Sequence, residues 1–223
     1  MLHTIEAVVF DMDGVLLDTE GVYRQAAFHA AERLGVKMTD AIHRQTIGVP
    51  GDASDSLFYR TWGADFPLAD FYVHWHGYLA GRWAADVPVK PGVTEFLDHL
   101  AARGLPAAVA TSSGRRTADA HLKKAGLIDR FAAIVTRDDV SRGKPDPEPF
   151  LVAASRLRVD PRACLALEDS HNGVRAAHAA GMVTIMVPDL LAPVAEIEAL
   201  CFAVIGDMHG VRTAMETARR EAG

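Results

Sequence analysis

A chain of 223 residues that is 49% hydrophobic and 23% charged can bury one large core, with or without an insertion, and is too apolar to stay disordered. Its formal net charge of −6 opposes nucleic acid or an anionic membrane as the main partner, because both reward a surplus of Lys and Arg. Cys164 and Cys201 show neither zinc-site nor disulfide spacing, and no run approaches the ~20 apolar residues of a membrane span, so a soluble cytoplasmic protein is expected.

The first element is IEAVVF at 5–10, a continuous apolar run of the kind that forms a strand buried on both faces. Residues 18–88 then change texture. They hold helical stretches at 22–34, 54–62 and 69–83 and no buried-strand run, and VPVKPG at 87–92 marks an extended return. Beyond it, apolar strands at 105–110, 132–136, 163–167 and 183–187 alternate with helical periods at 93–102, 115–125, 147–157 and 171–180. Gly104, Gly126 and Gly181 stand where left-handed helix ends belong, and Asp146-Pro147 reads as a helix start. The predicted fold is α/β, a doubly wound parallel sheet formed by 1–17 and 89–223, with an all-helical second domain inserted at 18–88. No repeat or low-complexity segment interrupts it.

Open parallel sheets bind ligands at the carboxyl ends of their strands. Asp11 and Asp13 follow the first strand. Thr111, Ser112 and Ser113 follow the second, Lys144 lies beyond a loop after the third, and Glu168 and Asp169 follow the fourth. Two carboxylates as close as Asp11 and Asp13 repel by roughly 4 kcal/mol at an effective dielectric of ~20, so the site needs a cation. In an extended chain their two-residue offset points both to one side. Several hard oxygen donors, a hydroxyl cluster and one ammonium suit Mg2+ together with a phosphoryl group, with Lys144 assisting the metal.

FDMDGVLLD, ATSS, GKPDP and LEDS, in that order, resemble motifs I to IV of the haloacid dehalogenase superfamily. The helical insertion is similar to the first cap type of that superfamily, found in the subgroup of phosphoglycolate phosphatase, sugar-phosphate phosphatases and β-phosphoglucomutase. The resemblance implies that Asp11 is the nucleophile forming an aspartyl phosphate, and that Asp13 is the acid and then the base. It implies that Mg2+ sits on Asp11, the Asp13 carbonyl and Asp169 with Glu168 nearby, and that Thr111, Ser112 and Lys144 bind the phosphate. A Mg2+-dependent phosphatase of a small phosphorylated metabolite, a sugar phosphate, is expected, acting as a monomer or weak dimer.

A phosphorylatable receiver domain uses similar groups in a different strand order and lacks such an insertion, and a dehalogenase does not need the acid at Asp13. The serious alternative is a β-phosphoglucomutase-type mutase. In that comparison GVPGDASDSL at 48–57 places Gly51 where the mutase has a phosphate-binding arginine, and Tyr23 stands at its histidine position, so both departures favour the phosphatase. Ser170 and Ser113 read equally well as helix caps. His74 and His76, two apart on a helix, do not face each other and read as structural. Trp62, Trp75 and Trp83 are expected to pack the insertion, and Asp207 and His209 are expected in a loop.

Overall fold

The computed structural model describes residues 2–47, 51–85 and 87–222. Six strands, β1 (Ala7–Phe10), β2 (Ala107–Ala110), β3 (Ala133–Val135), β4 (Cys164–Glu168), β5 (Val183–Met186) and β6 (Ala203–Val204), form one parallel sheet in the order β3-β2-β1-β4-β5-β6. Between β1 and β2 the chain forms helices α1 (Glu20–Arg33), α2 (Asp40–Arg44), α3 (Gly51–Trp62) and α4 (Leu68–Ala85), then α5 (Val93–Ala102). The remaining helices are α6 (Arg115–Lys124), α7 (Glu148–Leu157), α8 (His171–Ala179), α9 (Ala195–Glu198) and α10 (Met208–Ala222).

The chain divides into two compact units, Met1–Asp18 with Pro88–Gly223, and Thr19–Val87. In the first, alternation along β1 sends Ala7 and Val9 to one face of the sheet, where they meet Phe150, Ala153 and Ala154 of α7 and Ala176 and Ala177 of α8. Small residues on both sides let these helices lie close. Phe10 projects to the opposite face, with its ring edge-on to Phe96 of α5 and to Phe131. Phe10, Phe96 and Phe150 are fully buried, each contributing roughly 1.5–3 kcal/mol through transfer from water.

The two connections to the second unit are paired with each other. Asp18 N donates to Pro88 O at 2.9 Å, Lys90 N donates to Leu16 O at 2.9 Å, and Leu17 forms an antiparallel bridge with Val89. The second unit is built on aromatic packing. Phe58, Trp62, Phe66 and Phe71 form a contiguous cluster, and Trp75 and Trp83 pack on Tyr23. The tryptophans thus pack this unit as expected, and the His76 ring stacks against Tyr72 and Trp75.

Three features differ from the sequence reading. Strand β6 is an edge strand of only two residues, too short to leave an apolar run. Helix α2 is a single short turn whose N-cap Thr39 accepts from Ile42 N. His209 lies in α10 rather than in a loop, and Asp207 just before it accepts from Gly210 N at 2.8 Å. Helix α10 buries only Met208, Val211 and Met215 along one stripe, and charged residues and alanines hide that period. No helix among the described residues is long and apolar enough to cross a membrane.

Candidate active site

Parallel register sets the site. Phe10 is paired with Val109 on one side and Leu167 on the other, so the residues that follow β1, β2 and β4 emerge side by side. Asp11 N donates to Leu167 O and Thr111 N to Val135 O, both at 2.9 Å, which fixes the first residue beyond each strand. After Asp11 the chain turns back at once. Leu16 N and Leu17 N donate to Met12 O, and Gly14 N donates to Leu17 O. Gly14 has φ +86°, and a Cβ there would fall 2.2 Å from Asp169 Oδ2. Only glycine leaves that space open.

Lys144 reaches the site from the loop after β3. Its ammonium donates to Asp11 Oδ1 and Glu168 Oε1, and its Nζ stands 5.1 Å from the Phe150 ring centroid. Its side chain is 5% exposed, Asp11's 10% and Glu168's 0%, so these charges interact almost free of solvent screening. Burial pushes the Asp11 carboxyl up to about 8; Lys144 opposes the rise, and the Glu168 and Asp13 carboxylates add to it. Burial alone would lower Lys144, but the Asp11 and Glu168 carboxylates outweigh it and raise its affinity for a proton. The ammonium stays charged.

Glu168, expected near the cation, has both oxygens engaged. Oε1 accepts from Lys144, and Oε2 accepts from Asp169 N, Ser170 N and Ser170 Oγ at 3.1, 3.2 and 3.0 Å. Ser170 Oγ also accepts from Gly173 N at 3.0 Å, so the capping reading of Ser170 is correct. A Cβ at Gly173 would lie 1.9 Å from the Glu168 carboxyl, a close approach that the sequence reading missed. Its signal was a glycine inside a helix, where glycine costs about 1 kcal/mol relative to alanine.

Ser113 does not cap α6, whose N-cap is Gly114. Its hydroxyl donates to Asp13 Oδ2 at 2.9 Å, and its backbone N donates to Thr111 Oγ1 at 3.0 Å. Thr111, 2% exposed, therefore keeps its hydroxyl hydrogen for another acceptor. Ser112 is exposed to solvent between them.

Among the described residues, no three His, Cys, Asp or Glu side chains gather closely enough to hold a metal ion by themselves. A magnesium ion does not require that, because it keeps several waters and takes one or two carboxylates plus phosphate oxygens. By donor chemistry the Asp11 and Asp169 carboxylates and the Asp13 carbonyl suit such an ion, and of these Asp169 Oδ2 borders the space that a Gly14 Cβ would fill. Of the stretch compared with the mutase arginine loop, 48–50 lie outside the described residues, and Gly51 opens α3.

Residues 5–181 match the model of the haloacid dehalogenase-like hydrolase family, and the chain belongs to that family. It is 36% identical over 178 residues to a phosphorylated carbohydrates phosphatase of Thermotoga maritima, covering 80% of this chain and 82% of that protein. The crystal structure of a putative β-phosphoglucomutase from Thermotoga maritima superposes with TM-score 0.78 at 33% identity, covering 95% of this chain and 99% of that one. A family hydrolase from Deinococcus radiodurans, solved with bound phosphate and sodium, superposes with TM-score 0.82 at 26% identity over 97% of each chain.

Proposed function

We propose that this chain, a phosphoric monoester hydrolase of the haloacid dehalogenase-like family, is a Mg2+-dependent phosphatase of a small sugar phosphate, with Asp11 as nucleophile. One observation carries the reading. A buried carboxylate at the end of the central strand is held by Lys144, with a second carboxylate, Asp13, two residues on and anchored by Ser113. The phosphatase relative of Thermotoga maritima supports the substrate class.

The chain's own residues divide the work. With one Asp11 oxygen on Lys144, the other attacks phosphorus, the bond to the ester oxygen breaks, and Asp13 gives that oxygen its proton. Asp13 then takes a proton from water, the water oxygen bonds to phosphorus, and the bond to Asp11 breaks to release phosphate. Thr111, Ser112 and Lys144 hold the phosphoryl oxygens. Glu168 keeps Lys144 in place. A bound Mg2+ would be held by Asp11, Asp169 and the Asp13 carbonyl, and supplies the charge that lets an anionic nucleophile face an anionic ester. The helical unit, read as a cap domain at 18–88, is assigned the choice of substrate.

Phosphate release from a panel of sugar phosphates, phosphoglycolate and nucleotides, with and without Mg2+, tests the reading. Asp11→Asn should lower turnover at least ~10³-fold, since the amide is a poor nucleophile. Substantial turnover in that variant refutes the assignment.

The structure named as a putative β-phosphoglucomutase favours a second reading, phosphoryl transfer to another sugar hydroxyl. That reaction needs a cation for a distal phosphate. Arg24 is already held by Asp40 at 2.7 Å, and Tyr23 packs edge-on to Trp75 and Trp83. With β-glucose 1-phosphate and a trace of the 1,6-bisphosphate, free phosphate is expected to outpace glucose 6-phosphate. The reverse result establishes the mutase and points to Arg60 or Arg82.

A further inference from the structure

Asp189 comes soon after β5 as Asp169 comes directly after β4, and Val187 N donates to Glu168 O at 2.7 Å, so Asp189 emerges at the same end of the sheet. The chemistry above does not use it. Its Oδ1 accepts from Lys90 Nζ at 2.8 Å, while its Oδ2 is buried with no hydrogen-bond partner in the protein. A buried carboxylate oxygen left unmatched is costly, and such an orphan calls for a group that the protein itself does not supply.

Its surroundings indicate which group. A Cβ placed on Gly14 would fall 2.2 Å from Asp169 Oδ2 and 3.4 Å from Asp189 Oδ2, so both oxygens border the same small space beside the Asp13–Gly14 backbone. That is the space assigned to the cation, and magnesium retains bound waters that must donate their hydrogens to something. Asp189 already carries a neutralising partner in Lys90. It therefore presents an acceptor without adding a net charge to a site that is already acidic.

We propose that Asp189 is a positioning residue for the metal, its Oδ2 accepting a hydrogen bond from a water on the cation held by Asp11, Asp169 and the Asp13 carbonyl. The inference rests on the metal reading above. Outer carboxylates of this kind orient the ligand sphere, and their loss typically costs 10–100-fold in metal affinity.

The test is Mg2+ binding to the intact, substrate-free protein by calorimetry, with Mn2+ paramagnetic resonance as an independent readout. In Asp189→Asn the remaining oxygen stays with Lys90 and the amide turns a donor toward the water, so Mg2+ affinity should fall about 10–100-fold. Lys90→Met cuts the tether but keeps the acceptor, and should bind Mg2+ as tightly as the parent or more so. Equal weakening in both variants would mean that Asp189 acts only by holding the 88–90 segment, and overturns the proposal. Asp169→Asn separates the two levels. If it abolishes binding while Asp189→Asn binds normally, this inference alone is wrong; if it leaves binding intact, the metal reading fails and takes the inference with it.

Discussion

Ser113 makes one bond that separates positioning from binding. Its hydroxyl reaches Asp13 Oδ2 and touches neither Lys144 nor Glu168. If Asp13 protonates the leaving oxygen, loss of that bond should matter most where the leaving group is a poor one. Ser113→Ala is therefore expected to slow hydrolysis of an alkyl sugar phosphate about tenfold, ~1.4 kcal/mol in the barrier, and to leave p-nitrophenyl phosphate nearly unchanged. Paired kcat measurements on the two substrates check this, and equal losses on both would show that Ser113 serves binding instead. Gly173 gives a second prediction at this scale. Alanine there gains helix propensity but drives a carbon to 1.9 Å from the Glu168 carboxyl, and the clash wins. Gly173→Ala should lose about 1–2 kcal/mol in urea unfolding and reduce turnover, because Lys144 loses a fixed partner.

At the level of elements, the loop that delivers Lys144 is anchored at its start by Asp139. The Asp139 carboxylate accepts from Thr136 N and Oγ1 at 2.8 and 2.7 Å, and from Arg115 of α6 and Arg156 of α7 at 2.5 and 2.8 Å. Burial opposes its charge, but the Arg156, Thr136 and Arg115 hydrogen bonds dominate and hold it far below the usual carboxylate range. A depressed folded-state pKa means that this stabilisation is fully present above the unfolded value of about 4 and is lost as pH falls below it. Asp139→Asn should cost about 2 kcal/mol at neutral pH, with both arginines' partial exposure keeping it from more, and the gap from the parent should narrow in acid. Denaturant melts at pH 7 and pH 3 would show it; a constant gap would rule it out.

Across the whole molecule, what could be read in the sequence follows from how locally each feature is encoded. AVVF, AAVA and CLALE announce themselves because strands buried on both faces leave continuous apolar runs. Helix α10 and strand β6 do not, since three buried side chains among charges, or two residues at an edge, leave no period to find. The site was legible only where its residues sit directly after strands. Lys144 meets Asp11 from 133 positions away, and the strand-end rule brought it only to the same end of the sheet; its direct bond to Asp11 is visible in the structure alone. Asp189 obeys the same strand-end rule and was overlooked, because its meaning lies in an unmatched oxygen and not in a residue type.

The pairing of the two connections has a consequence for how such a chain can change over time. Since Asp18 N already bonds to Pro88 O and Leu17 bridges Val89, the ends of the segment between them are pinned together by the sheet-bearing part itself. Closing that loop adds little new entropy cost however long the intervening chain is, because each doubling of loop length costs only ~0.6 kcal/mol. Residues 19–87 are therefore expected to be replaceable as one cassette. A chain with a short glycine bridge from Asp18 to Pro88 is expected to fold, to bind Mg2+, and to hydrolyse p-nitrophenyl phosphate weakly without choosing among sugar phosphates. Circular dichroism, calorimetry and the phosphate-release panel would establish each point, and failure to fold would show that the seam is not self-sufficient. If the seam holds, new substrates can be acquired by replacing one contiguous stretch of gene, while the carboxylates and the lysine are inherited untouched.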